Sequence, residues 1–230
     1  MQKENFDPPV QGEKTITQHG LQRRNLLKLF GGSMAVVTVA AACNKNDVIE
    51  GKGINLGSGD VGILNYAYAL EQLEAAFYTQ TRITPYAGIT SLENTYLNDI
   101  KDHEVIHREF FKAALGSSAI ASLEFDFSSI DFSSRTSVLA TAMAFEDLGV
   151  SAYNGAGKLI TDPNYLTLAG KIVSVEARHA ALIRDLIMNG TFADSVDSNG
   201  LDTAKSPIEV LAIAGTYIKT KLNASNLPTS

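Results

Sequence analysis

Glu104-Val105-Ile106-His107 and Glu176-Ala177-Arg178-His179 carry the same short pattern, a glutamate with a histidine three residues further on. Side chains at i and i+3 are neighbours on a helix, so in each copy the carboxylate and the imidazole turn toward one point. Upstream of each copy a glutamate interrupts an apolar helical face. Glu71 follows Leu70 on the stripe of Leu64, Ala67 and Tyr78, and Glu146 follows Phe145 on the stripe of Met143 and Val150. Burying either without a partner would cost several kcal/mol, and a cation is the simplest remedy. Four helices supplying Glu, Glu-x-x-His, Glu and Glu-x-x-His to one interior form a ligand set for two metal ions. The histidines support this economically: there are four, His19 lies near the N-terminus, and two of the other three fall in the repeated pattern.

Working outward, the rest of the chain reads as helices with clear punctuation. Apolar residues at helical spacing from Val61 to about Thr81 predict a first helix, ended by Thr84-Pro85-Tyr86-Ala87-Gly88. Thr90-Ser91-Leu92-Glu93 has the form of a capping box and opens a second helix that stops near Gly116. A Ser-rich stretch with Phe125, Phe127, Ile130 and Phe132 follows, too long for a tight turn, so its spaced aromatics predict a crossover strapped to the bundle. Ser133 or Ser134 caps a third helix running to about Ile160. Asp162-Pro163 opens a fourth, ending at Asn189-Gly190, and Ser206-Pro207-Ile208-Glu209 starts a fifth with its own capping box. The expected class is all-α: a four-helix bundle with a long crossover between helices two and three, plus a C-terminal helix.

Composition narrows the function. The 230 residues are 45% hydrophobic and 19% charged, which suits one buried domain with appendages rather than a multi-span membrane protein. A net charge of −6 leaves no basic stripe for nucleic acid. The single cysteine, Cys43, rules out an internal disulfide and a thiolate metal cluster, so a metal must use oxygen and nitrogen.

The N-terminal segment reads as an address. Arg23-Arg24 with Leu26, Leu27 and Phe30 behind it, then an apolar run from Gly31 to Ala42, reads as a twin-arginine (Tat) export signal. Ala40-Ala41-Ala42-Cys43 resembles a lipoprotein cleavage box, with Ala40 where such boxes usually carry Leu; the alternative is ordinary cleavage after an Ala-x-Ala. The expected organisation is residues 1–43 as signal with lipidation at Cys43, 44–60 as a flexible tether, 61–190 as the bundle, and 191–230 as the C-terminal extension. Export would involve the Tat translocase and place the protein in the periplasm or cell envelope, held to the membrane by a lipid anchor if Cys43 is modified.

The two halves also agree in detail. Tyr78 stands seven residues after Glu71, and Tyr153 seven after Glu146, two helical turns in each case. The Glu71-to-Glu104 and Glu146-to-Glu176 separations are alike, which suits antiparallel hairpins related by a pseudo-twofold axis. On Leu64-Asn65-Tyr66-Ala67 through Leu70-Glu71-Gln72-Leu73-Glu74-Ala75-Ala76-Phe77-Tyr78, Asp102-His103-Glu104-Val105-Ile106-His107, Glu146 with Gly149-Val150-Ser151-Ala152-Tyr153, and Glu176-Ala177-Arg178-His179-Ala180, the chain resembles the ferritin-like superfamily. Within it the likeness is to the exported bacterial, desiccation-related type.

The resemblance and the ligand set imply Glu71, Glu104, His107, Glu146, Glu176 and His179 as ligands of two iron or manganese ions. Tyr78 and Tyr153 are then the candidate catalytic residues, hydrogen-bonding a ligand or supplying an electron. Glu74 is an alternative to Glu71, although a solvated position is the expectation for Glu74 and Glu109. His103, Asp102 and Arg178 are candidates for the surrounding shell. Such a pair implies handling of iron, O₂ or peroxide in stress protection, as a ferroxidase or a peroxide-consuming oxidoreductase. The alternative is a non-enzymatic metal-binding or stress-protective envelope protein. A cage for iron storage fits poorly with a tether and a bulky extension, and self-association is otherwise left open. His103-Glu104-Val105-Ile106-His107 also satisfies the zinc-protease pattern His-Glu-x-x-His, with Glu124 or Glu146 as third ligand. That reading leaves Glu176, His179 and the paired tyrosines without a role.

Overall fold

The computed structural model describes residues 53–229. The expected export signal with Arg23, Arg24 and Cys43, and the first part of the expected tether, lie outside the described residues. Within them the elements run β1 (Ile54–Asn55), α1 (Gly59–Ile83), α2 (Ser91–Leu115), α3 (Arg135–Gly157), α4 (Pro163–Ile187), α5 (Pro207–Ala214) and β2 (Leu222–Asn223). The first four helices pack as two hairpins, α1 on α2 and α3 on α4, joined by the crossover between α2 and α3. This is the all-α architecture expected from the sequence.

The helix ends follow their capping chemistry. Thr90 accepts from the Glu93 backbone N–H while the Glu93 carboxylate accepts from the Thr90 backbone, and Ser206 and Glu209 make the same reciprocal pair. Ser134, rather than Ser133, caps α3, and the Asp162 side chain accepts from the Asn164 N–H with Pro163 at the first position of α4. Two ends fall short of expectation: α3 stops at Gly157 and α4 at Ile187.

α1 is buried nearly all round, because the rest of the described chain wraps it. Its two buried amides hold the start of the crossover. Asn65 Nδ2 donates to the carbonyls of Leu56 and Ser118 at 3.0 and 2.9 Å, and its Oδ1 accepts from the Ile120 N–H. Gln72 Oε1 accepts from the Leu123 N–H at 2.9 Å. Further along, Phe127 and Phe132 close on Phe77 with ring centroids 6.2 and 5.9 Å away, and Ile130 is buried, so the crossover is strapped to the bundle as its aromatics predicted.

The expected tether is ordered over its last part. Ile54–Asn55 pair in parallel with Leu222–Asn223, and Leu56 is fully buried beneath them. The C-terminal extension thus returns to the start of the domain. On the way it crosses α3 closely: the Lys205 N–H donates to the Ser151 carbonyl, and a Cβ at Gly155 would stand 1.8 Å from the Lys205 carbonyl oxygen. Tyr217 then packs edge-on against Phe145, next to Glu146. None of the described helices is long and apolar enough to cross a membrane.

Candidate metal centre

Each helix of the bundle brings its glutamate inward at mid-length. Glu71 comes from α1, Glu104 and His107 from α2, Glu146 from α3, and Glu176 and His179 from α4. Glu71, Glu104, Glu146 and Glu176 are fully buried, and His107 and His179 are 9% and 4% exposed. The six residues form two overlapping groups that share Glu104 and Glu176. In each group, Glu71, Glu104, His107, Glu176 and Glu104, Glu146, Glu176, His179, one donor atom per residue lies within 4.8 Å of the others.

The approach of the imidazoles repeats with twofold regularity. His107 Nδ1 lies 2.9 Å from Glu176 Oε1, 3.4 Å from Glu71 Oε2 and 3.8 Å from Glu104 Oε2. His179 Nδ1 lies 2.9 Å from Glu104 Oε1, 3.4 Å from Glu146 Oε2 and 3.8 Å from Glu176 Oε2. These are ion-pair distances without hydrogen-bond alignment: both Nδ1 atoms, both oxygens of Glu104 and Glu176, and Oε2 of Glu71 and Glu146 are buried without a hydrogen-bond partner. Nitrogen and oxygen atoms that converge without aligned hydrogen bonds are what a cation between them requires, whereas a purely structural network would align donor to acceptor. The donor set therefore fits a pair of hard or borderline divalent ions.

The metal-free electrostatics are correspondingly extreme. Burial alone would lower the His107 imidazole, but Glu104, Glu176 and Glu71 together push it up to about 12. Burial likewise opposes protonation of His179, and Glu146, Glu104 and Glu176 overcome it to raise that group far above the usual histidine range. Glu176 feels both imidazoles, which outweigh its burial and hold it down at about 2. Glu104 and Glu71 are raised by burial and by the neighbouring Glu176 carboxylate. Burial raises Glu146 to about 7, with His179 and Tyr78 restraining the rise.

The tyrosines lie at the site but cross over. Tyr78 of α1 donates to Glu146 Oε1 of α3 at 2.5 Å, and Tyr153 of α3 donates to Glu71 Oε1 of α1. Each thus serves the carboxylate of the other hairpin, not the one two turns back on its own helix. Two turns of helix span about 11 Å, beyond a tyrosine's reach, while the partner helix runs alongside. Burial and the adjacent carboxylates raise both phenols well above their ordinary value, so both stay neutral donors.

Among the secondary candidates, His103 belongs to neither group. Its Nδ1 lies 2.9 Å from Nε2 of His179, with the rings stacked 5.1 Å apart, so it touches the ligand's far edge. Asp102 faces away and pairs with Lys101, and Arg178 is exposed, so neither surrounds the site. Glu109 is exposed as expected, but Glu74 is not: it is 4% exposed and packs beside the cluster. Glu71 takes the place in the donor group for which Glu74 was the alternative.

A bundle of four helices around a buried carboxylate and imidazole cluster defines a metal-binding class of helical protein. The chain belongs to the ferritin-like domain family, whose model matches residues 59–189. No curated protein matches it.

Proposed function

We propose that this protein holds two iron or manganese ions and handles iron, O₂ or peroxide in the cell envelope, as an oxidoreductase in stress protection. The observation that carries the reading is the pair of four-residue groups sharing Glu104 and Glu176, with their donor atoms buried and unmatched by hydrogen bonds. Glu71 and His107 would serve one ion, Glu146 and His179 the other, and Glu104 and Glu176 both. Four carboxylates balance two divalent charges, so the filled core is neutral. When bound, such a pair supplies two-electron redox chemistry toward O₂ or peroxide.

The chain's own contribution is positional. Tyr78 and Tyr153 fix one oxygen each of Glu146 and Glu71, leaving the other unpartnered and able to hold an ion. They are also the oxidisable side chains in contact with the ligands, which supports a role in supplying an electron. Burial of all four carboxylates excludes bulk water and strengthens every charge interaction within. His103 lies outside the cluster, which favours this reading over a zinc protease built on His103 and His107.

Elemental analysis of purified protein should find two iron or manganese ions per chain, and Glu104→Ala or His179→Ala should lose at least one while helical content stays. Anaerobic protein loaded with Fe²⁺ should consume O₂ or H₂O₂ with an absorbance rise that Glu146→Ala abolishes. Turnover no faster than free ions in buffer would leave the metal-binding alternative standing, and one tightly held zinc unaffected by His179→Ala would overturn the two-metal reading. Location rests on the Arg23-Arg24 segment alone, and lysine at both positions should keep the protein inside the cell.

A further inference from the structure

Glu74 has no place in the six-residue set, yet it is only 4% exposed, as His179 is. Its surroundings are explained by one glycine on another helix. A Cβ at Gly149 of α3 would stand 3.0 Å from Glu74 Oε1, 3.8 Å from its Cδ and 3.7 Å from Glu176 Oε2. The Glu74 side chain therefore crosses the bundle interior from α1 to α3 and ends against the Gly149 backbone, where Glu176 also arrives. Contact that close is tighter than ordinary packing, so any side chain at 149 would crowd the Glu74 carboxylate.

The internal repeat shows why a glycine stands there. Glu74 is three residues after Glu71, and Gly149 is three residues after Glu146, so the two positions are mates under the pseudo-twofold relation. Side chains projecting from both toward the middle of the bundle would collide. The chain fills one and empties the other. Glu74 also makes no hydrogen bond among the described residues, and the charges that bear on it are those of Glu104, Glu176, Glu146 and Glu71. A glutamate retained only for structure would be expected to find a donor or a carbonyl, as the buried amides of Asn65 and Gln72 do.

We infer that Glu74 is a seventh protein ligand of the two-metal site, a carboxylate that reaches the ions from α1 through the space Gly149 leaves open. The inference rests on the proposed two-metal reading and deepens it. With four carboxylates already balancing two divalent ions, a fifth suits the site to ions of higher charge, in the direction an oxidation would take them. The pseudo-symmetry is thereby broken at the position that faces the ions, and the six-ligand pattern understates the donor set.

The test uses Co²⁺ as a spectroscopic probe on the purified chain. Wild type, Glu74→Gln and Gly149→Ala are titrated, with helical content checked by circular dichroism and both affinity and visible absorption recorded. Glu74→Gln should bind at least one Co²⁺ roughly tenfold or more weakly and alter the absorption bands, which report the oxygen donors around the ion. Gly149→Ala keeps every ligand and should shift the same bands in the same direction to a smaller extent, so the inference stays testable if Glu74→Gln fails to fold. Wild-type affinity and spectrum in both variants would overturn it and leave Glu74 as a buried neutral side chain. Failure of the wild type itself to take up two ions would instead overturn the underlying two-metal reading.

Discussion

Replacing Tyr78 by Phe removes one oxygen from a filled core and leaves no cavity to confuse the result. What is lost is the bond to Glu146 Oε1, which links α1 of one hairpin to α3 of the other. Hydrogen bonds to charged groups contribute about 1.5–3 kcal/mol, against about 0.5–1.5 kcal/mol for neutral pairs. The sign of the pH dependence follows from Glu146, which burial raises from 4.5 to about 7 in the metal-free protein despite His179 and Tyr78. A carboxyl group raised on folding takes up a proton as the chain folds, so its contribution to stability declines as pH rises from 4.5 toward 7. Tyr78 restrains that decline because its bond favours the carboxylate. The cost of Tyr78→Phe should therefore be about 0.5–1.5 kcal/mol at pH 6, where Glu146 is mostly neutral, and about 1.5–3 kcal/mol at pH 8, where it is mostly ionised. At roughly 2–4 °C per kcal/mol for a domain of this size, the melting temperature of chelator-treated protein should fall by about 3–12 °C at pH 8. Thermal unfolding of both proteins at the two pH values measures this directly. An equal loss at pH 6 and pH 8, or a loss under about 0.5 kcal/mol at both, would refute the reasoning.

Two further outcomes follow from the same cluster. Because the surrounding carboxylates overcome burial to push His107 up to about 12 and to raise His179 far above the usual histidine range, both imidazoles should carry protons at pH 7 in the metal-free protein, and ligation requires them neutral. Metal uptake at pH 7 should thus release at least two protons per chain and tighten with rising pH; calorimetric titration in buffers of different ionisation enthalpy counts them, and release of less than one would contradict the assignment. His103 holds the far nitrogen of His179, and such partners of metal-bound histidines typically affect affinity by about 10–100-fold, so His103→Ala should weaken one of the two ions by that order and spare the other. Equal weakening of both ions, or of neither, would deny His103 that part.

The six clustered residues were legible because helical periodicity converts spacing into direction. Once Glu104 and His107 share a face on one helix and Glu176 and His179 on another, burial of the apolar stripes brings them together with little freedom left. Capping at Thr90, Asp162 and Ser206 was equally plain, since those rules act within four residues. What escaped depends on contacts between segments. Glu74 looked like a solvated helix residue because nothing near it in sequence reveals that Gly149, on another helix, clears a space for it. The tyrosine exchange was hidden for the same reason: an offset of seven gives the face, not which neighbouring helix holds the acceptor. The pairing of Ile54–Asn55 with Leu222–Asn223 involves strands of two residues, too short for any periodic signal.

The near-symmetry of the two hairpins and its two departures bear on the same question, which is whether the two donor groups are alike. The repeat alone would make them so. Each position draws on one imidazole, one private carboxylate and the shared Glu104 and Glu176, and each private carboxylate is held by the tyrosine of the opposite hairpin. The departures fall unevenly. His103 leans on His179, and its counterpart before Glu176 is Val175, which offers His107 no such partner. Glu74 Oε1 and Glu176 Oε2 both come up against Gly149, and that oxygen of Glu176 is the one on the His179 side, since Oε1 is the one 2.9 Å from His107. Both additions thus gather around the group formed by Glu104, Glu146, Glu176 and His179. On the two-metal proposal, a group with an extra carboxylate at hand and an imidazole held from behind should bind its ion more tightly than its twin on a nearly symmetric frame.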